Sequence, residues 1–247
     1  MRISNVMTMA SILAPGSAPS ATARAHVTDT IRANCGYHGE GRGTSMIEAL
    51  IADARALAAL PGRAMLGITG APASGKSTLA QQLVAAVGDA AALVPMDGFH
   101  LDDAVLRRHG SWERKGAIDT FDGAGYAHLM RRLRQARETV YAPWFDRGLE
   151  ASIGGAIEVA PEVQLVVTEG NYLLAESDPW VGARAVLDEV WFLQIDPALR
   201  RQRLIERHMR YGRSARAARD RALGTDEANA RFIESLAARA DRIIGLS

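Results

Sequence analysis

From residue 46 onward the chain alternates short, continuously apolar runs with longer helical stretches. Met46–Leu60 (MIEALIADARALAAL) predicts a helix closed by Pro61-Gly62. Ala64–Thr69 (AMLGIT) predicts a buried strand, and Ser77–Val87 (STLAQQLVAAV) a helix that stops at Gly88. Ala91–Met96 predicts a second strand. Residues 97–123 are polar and irregular, with a short helix expected around Asp102–His109. Tyr126–Glu138 has helical spacing, with Leu129, Met130 and Leu133 on one side. Val163–Thr168 and Val190–Ile195 predict two more apolar strands. Pro197–Tyr211 predicts a helix dense in arginine. Thr225–Ala240 predicts another, with Thr225 as its N-cap and Asp226 and Glu227 in its first turn. Arg242–Ile244 predicts a last short strand.

Apolar strands alternating with helices indicate a parallel sheet covered on both faces. Ligands of such sheets bind beyond the carboxyl ends of the strands, so the residues just after each strand are the ones to read for chemistry.

The first strand runs into Gly70-Ala71-Pro72-Ala73-Ser74-Gly75-Lys76-Ser77-Thr78, which fits G-x-x-x-x-G-K-[ST]. Strand, glycine loop and helix in that order are the context a phosphate-binding P-loop requires. Its glycines let successive backbone N–H groups and a helix N-terminus face phosphate. The expected nucleotide contacts are Gly70, Ala71, Ala73, Ser74, Gly75, Lys76, Ser77 and Thr78. Only two of the 29 basic residues are lysine, and Lys76 is one of them. A compact ammonium on a flexible stem reaches the β- and γ-phosphates as a point charge, where a planar guanidinium needs a wider, forked site. Ser77 supplies a hydroxyl for Mg²⁺. The fold expected is therefore an α/β P-loop NTPase, a three-layer sandwich with a mainly parallel sheet, completed by an Arg-rich helical lid.

Composition narrows the partners. A formal net charge of +1 argues against an extended nucleic-acid face. No stretch is apolar for the ~18 residues of a membrane span. The single Cys35 excludes an internal disulfide and a cysteine metal cage, and fits a reducing cytoplasm. No nucleic acid and no membrane are expected as partners, and a homodimer stays open. Residues 1–44 are rich in Ala, Ser, Thr and Gly without sustained periodicity. They are expected to be a disordered extension or to precede the true start at Met46; their acid-poor, Arg- and Ser-containing composition also suits a transit peptide. Residues 45–247 form the expected P-loop domain.

After the second strand comes Asp97-Gly98-Phe99-His100, and after the third Glu169-Gly170-Asn171. Each sets a carboxylate before a glycine on the sheet rim. Such a carboxylate can accept a proton from an attacking hydroxyl or hold Mg²⁺. Gly98 and Gly170 allow unusual backbone angles or close approach.

From Arg63 to Ile244 the chain resembles the uridine kinase, pantothenate kinase and phosphoribulokinase group. Met96-Asp97-Gly98-Phe99 is similar to the D-G-F of bacterial pantothenate kinases, whose aspartate is the catalytic base. Arg114-Lys115-Gly116 followed by Phe121-Asp122 continues the likeness, and Phe121-Asp122 also resembles the uridine kinase segment that contacts acceptor hydroxyls. Thr168-Glu169-Gly170-Asn171 resembles the segment serving magnesium. Tyr141–Arg147 resembles the uridine kinase substrate segment, with shorter spacing and no histidine. Arg203-Leu204-Ile205-Glu206-Arg207 resembles the lid segment R-L-x-R-R, with Glu206 replacing one arginine. The D-G-F-H-L, F-D-R and D-E-x-N-A patterns, here Asp97–Leu101, Phe145–Arg147 and Asp226–Ala230, most resemble a branch labelled nucleoside/nucleotide kinase-like or fructose-transport kinase.

The resemblance implies an ATP-dependent, Mg²⁺-requiring kinase that phosphorylates a hydroxyl of a small molecule. Lys76, Asp97, Arg203 and Arg207 would be catalytic. Asp97, His100, Lys115, Asp122, Tyr141 and Arg147 would bind the acceptor, and Ser77 and Glu169 the metal. Acids at 97, 102, 103 and 122 favour a nucleoside, sugar or pantothenate-like acceptor over a phosphorylated one, while Arg107, Arg108, Arg114 and Lys115 pull the other way. The alternative is a P-loop regulatory ATPase that uses nucleotide state to order a loop and needs no acceptor.

Overall fold

The computed structural model describes residues 45–246. The expectations for residues 1–44 lie outside the described residues. Helix α1 (Met46–Ala58) leads into β1 (Ala64–Gly70), followed by α2 (Lys76–Val87), β2 (Ala91–Leu93), the short α3 (Asp103–Arg108) and α4 (Gly123–Gln135). A hairpin follows, β3 (Val140–Asp146) and β4 (Ala151–Val159). The chain returns through β5 (Leu165–Glu169), α5 (Trp180–Arg184) and β6 (Glu189–Ile195). It ends with α6 (Pro197–Arg210), α7 (Ala215–Leu223), α8 (Thr225–Ser235) and β7 (Arg242–Leu246).

Five strands form a parallel sheet in the order β2-β5-β1-β6-β7. Its two faces bury different side chains, as the two-residue period of a strand demands. Leu66, Ile68, Val167, Trp191 and Leu193 meet Leu50, Ala54 and Leu57 of α1 and Leu79, Ala80 and Leu83 of α2. Met65, Val166, Val190 and Phe192 meet Tyr126, Met130 and Leu133 of α4, with Trp180 and Ile233 beside them. Helix, sheet and helix make the three layers expected. α1 opens on a capping box, with Glu48 N–H donating to Ser45 Oγ and Ser45 N–H to Glu48 Oε2 at 2.7 Å. No helix among the described residues is long and apolar enough to cross a membrane.

Several boundaries differ from the sequence expectation, each for a local reason. β2 stops at Leu93, although Val94 N–H still reaches Val167 O at 2.9 Å. Pro95 then offers no N–H to the ladder, and Met96–Phe99 coil into a 3-10 turn. α4 begins three residues early because Asp122 Oδ1 accepts from Gly125 N–H at 2.8 Å. Thr225 is not an N-cap: it lies inside α8, which starts from Gly224 without a side-chain cap and ends at Ser235.

The β3–β4 hairpin and α7 were not foreseen. The hairpin packs Val140, Ala142 and Val159 into the core. A register shift at Pro143 separates Ala142 from Trp144.

Candidate active site

The P-loop wraps the carboxyl end of β1. Ala73 (φ 65°) and Gly75 (φ 96°) both take the left-handed conformation, which turns neighbouring N–H groups toward one side. Lys76 opens α2 and is buried, at 7% exposure. Its Nζ donates to Gly70 O at 2.8 Å and Ala71 O at 3.0 Å. Burial pulls its pKa down to about 8. Glu169 and Asp97 counter that shift, while Arg207 and Arg147 add to it. These five side chains therefore share one electrostatic site.

Glu169 ends β5, in register with Ile68 of β1. It is 6% exposed, and its Oε1 accepts from Ser77 Oγ at 2.8 Å. Burial raises its pKa, and the nearby Asp97 charge raises it further; Lys76, the Ser77 hydrogen bond and Arg147 oppose. Thr168, one residue earlier, is buried and ties β5 to two neighbours. Its Oγ1 donates to Val94 O at 2.7 Å and stands 2.9 Å from Tyr126 Oη. That brace, which the sequence did not reveal, fixes the depth at which Glu169 emerges.

Asp97 lies in the 3-10 turn after β2, and close packing holds that turn in place. A Cβ on Gly98 would lie 2.4 Å from Pro143 O, and one on Gly170 2.5 Å from Met96 Cβ. Neither glycine is in the left-handed region, so close approach is what each supplies. The contact at Gly98 brings the hairpin against the turn, and Arg147 at the hairpin's end donates to Asp97 Oδ2 at 2.5 Å.

His100 Nδ1 stands 2.8 Å from Asp97 O, and its ring packs between Phe121 (centroids 4.0 Å apart) and Phe145 (4.6 Å). Burial lowers its pKa; the Asp97 charge and hydrogen bond oppose, and Lys115 and Arg147 reinforce. Lys115 Nζ is 5.2 Å from the Phe145 ring and donates to Asp103 Oδ1 at 2.7 Å and Glu150 O at 3.0 Å. It latches α3 to the hairpin turn.

Three predicted residues are placed elsewhere. Asp122 is exposed and caps α4. Tyr141 is 58% exposed, on the face opposite Ala142. Simple alternation would put Tyr141 and Phe145 on one face; the irregularity at Pro143 turns Phe145 inward and leaves Tyr141 outside. On α6 the inward row is Arg200, Leu204 and the half-buried Arg207, while Arg203 is exposed on its flank. Arg207 has its pKa lowered by burial first, then by Arg147, with Asp226 and Asp97 opposing.

Arg200 was missed. It is 1% exposed, donates to Glu227 Oε2 at 2.5 Å and lies 3.7 Å from Glu234. An arginine in a helix with so many carries no sequence signal for burial. The D-E-x-N-A segment gains a role from its contacts. Asp226 Oδ2 pairs with His208 Nε2 of α6 at 2.6 Å, and Asn229 Nδ2 donates to Gly116 O at 3.2 Å. Gly116 O also accepts from Tyr172 Oη at 2.6 Å, and Arg221 of α7 donates to Glu113 O at 2.6 Å. Helices α7 and α8 are thus joined directly to the loop that carries Lys115, and α6 is tied to α8.

No family model matches the chain. The ATP-dependent kinase-like protein notR' of Aspergillus versicolor is 37% identical over 145 residues, covering 55% of this chain and 84% of that protein. A "putative uridine kinase" of Schizosaccharomyces pombe is 32% identical over 184 residues, covering 70% and 78% respectively. The crystal structure of a "putative fructose transport system kinase" from Silicibacter sp. TM1040 matches with a TM-score of 0.73 at 40% identity, over 82% of this chain and 100% of that one. Agreement of this extent in sequence and in fold makes the chain a member of the P-loop kinases, in the group that contains uridine kinase and pantothenate kinase.

Proposed function

We propose that the protein transfers the γ-phosphoryl group of ATP to a hydroxyl of a small molecule of nucleoside, sugar or pantothenate-like type. The observation that carries this reading is the approach of two carboxylates, Asp97 and Glu169, to Lys76 at the carboxyl ends of adjacent parallel strands. One acid lies beside the P-loop hydroxyl and the other beside the stacked rings of His100 and Phe145. That division suits a kinase, which needs one oxygen donor for the phosphate side and one for the incoming hydroxyl.

In this reading the backbone of Gly70–Thr78 cradles the triphosphate. Lys76 leaves the Gly70 and Ala71 carbonyls for the β- and γ-phosphates. Magnesium fits the donor pair Ser77 Oγ and Glu169 Oε1, since it takes hard oxygen ligands and keeps other positions for water and phosphate. Those two residues would hold it, and when bound it neutralises charge on the β- and γ-phosphate oxygens. Asp97 orients the acceptor hydroxyl and takes its proton. The hydroxyl oxygen forms the new bond to γ-phosphorus, the β–γ bridging P–O bond breaks, and ADP leaves. Arg207 approaches the transferring oxygens from α6. Such chemistry is largely positioning and electrostatic stabilisation.

An ADP-release screen against nucleosides, sugars, polyols and pantothenate tests the proposal. An acceptor that stimulates release well above basal hydrolysis supports it. Hydrolysis that no acceptor stimulates would instead support a regulatory ATPase.

A further inference from the structure

The acids that seemed to favour an uncharged polyol are committed to other partners. Asp102 Oδ1 accepts from Ala104 N–H at 2.8 Å and caps α3. Asp122 caps α4. Asp103 takes Lys115 on one oxygen, and Trp112 Nε1 (2.8 Å) and Arg107 (3.3 Å) on the other. Asp119 is paired with Arg114. Of the acids from 97 to 122, Asp97 alone faces Lys76 and Glu169, and its Oδ2 is held by Arg147.

The cations are distributed differently. Arg147 remains 40% exposed while it holds Asp97. Its Cζ lies 5.8 Å from the centroid of the Phe145 ring, which also packs on His100. A guanidinium has five N–H donors in a planar fork suited to a carboxylate or phosphate. Arg207 lies close enough to Arg147 that the two repel, and both act on Lys76. A triphosphate at the P-loop would engage Lys76 and Arg207 and leave Arg147 facing the acceptor.

We propose that the acceptor carries an anionic group, a carboxylate or a phosphate monoester, beside the hydroxyl that is phosphorylated, and that this anion takes Arg147 from Asp97 and frees the aspartate to receive the hydroxyl proton. The proposal rests on the kinase reading above and narrows its substrate class. While Arg147 holds Asp97, the base is masked. A neutral acceptor offers Arg147 nothing in exchange for Asp97, whereas an anion replaces one charge-assisted hydrogen bond with another. The site therefore selects for a charged acceptor in the same event that uncovers the base.

The test uses matched acceptor pairs in the ADP-release assay: glycerate and glycerol, pantothenate and pantothenol, ribose 5-phosphate and ribose, a nucleoside 5′-monophosphate and its nucleoside. The first two pairs test a carboxylate source and the last two a phosphate source. We expect the anionic member of at least one pair to exceed its neutral partner by about 10- to 100-fold in kcat/KM, the range a charged hydrogen bond provides. In Arg147→Gln that preference collapses toward unity, chiefly through KM, and Arg147→Lys restores part of it. Nucleotide affinity and melting temperature of both variants report that the fold is kept. A neutral member equal to or better than its anionic partner, with KM unmoved in Arg147→Gln, overturns the inference while the kinase reading stands. Release that no member of any pair stimulates, with nucleotide still bound, overturns both.

Discussion

The Ser77 hydroxyl donates to Glu169 Oε1 across 2.8 Å, joining the first turn of α2 to the end of β5. Burial and the Asp97 charge raise the Glu169 pKa despite Lys76 and that hydrogen bond. A carboxyl with a raised folded-state pKa contributes stability below its unfolded pKa and loses it as pH rises through the folded value. Its charged form is thus held at a cost to the fold. Glu169→Gln keeps an oxygen acceptor for Ser77 and removes the charge. We expect melting at pH 7 to hold or rise, while turnover falls by about tenfold or more and the Mg²⁺ needed for half-maximal rate increases. A lower melting temperature with normal turnover would make Glu169 a structural residue.

Lys76 gives the corresponding prediction for nucleotide affinity. Burial lowers its pKa to about 8 from the ordinary lysine value of 10.5. Between those values the unfolded chain binds the proton and the folded protein does not, so this group makes stability rise with pH across that window. Phosphates need the charged form. ATP affinity should therefore weaken above pH 8, by up to about tenfold per unit for one linked proton. Lys76→Ala should bind ATP without that pH dependence. It should lose turnover by about 10²-fold or more and keep its melting temperature. Titration of a fluorescent ATP analogue from pH 6.5 to 9.5 measures the linkage, and a flat wild-type profile would refute it.

Gly98 tests how the acceptor side is assembled. A Cβ there would meet Pro143 O at 2.4 Å, backbone against backbone. Gly98→Ala should push the hairpin off the Asp97 turn and cost about 1–3 kcal/mol. It should reduce acceptor turnover more than ATP affinity, because the P-loop is not in that contact. Gly154→Ala is the control within the same hairpin, since a Cβ there meets nothing within 4 Å. Equal melting temperatures for the two variants would contradict the packing argument.

The sheet was legible because its strands are buried on both faces and read as unbroken apolar runs, Val190–Ile195 most plainly. The P-loop was legible because its chemistry is local: one loop, one lysine, one serine. The acceptor side depends on contacts between residues distant in sequence, and there the reading thinned. Arg147 meets Asp97 fifty positions away only because the irregularity at Pro143 and the missing Cβ of Gly98 bring the hairpin in. Tyr141 precedes that irregularity and lies opposite the buried Ala142, so the shift that turns Phe145 inward does not carry Tyr141 with it. Asp122 and Asp102 followed helix-cap chemistry, which spacing alone does not separate from substrate contact. Arg203 and Arg207 share an i,i+4 spacing, but the buried row on α6 runs through Arg200, Leu204 and Arg207, and a helix so rich in arginine hides which one turns inward.

Asp97→Asn tests the central claim most directly. The variant keeps the shape and reach of the side chain but removes the charge and the proton acceptor. Nucleotide affinity and acceptor-stimulated turnover are measured on the same preparation, across a range of Mg²⁺. With Asp97 as the base, affinity holds, turnover falls by roughly 10²–10⁴-fold, and added Mg²⁺ does not recover it. A turnover number equal to that of the wild type, or a deficit that added Mg²⁺ erases, would contradict the account.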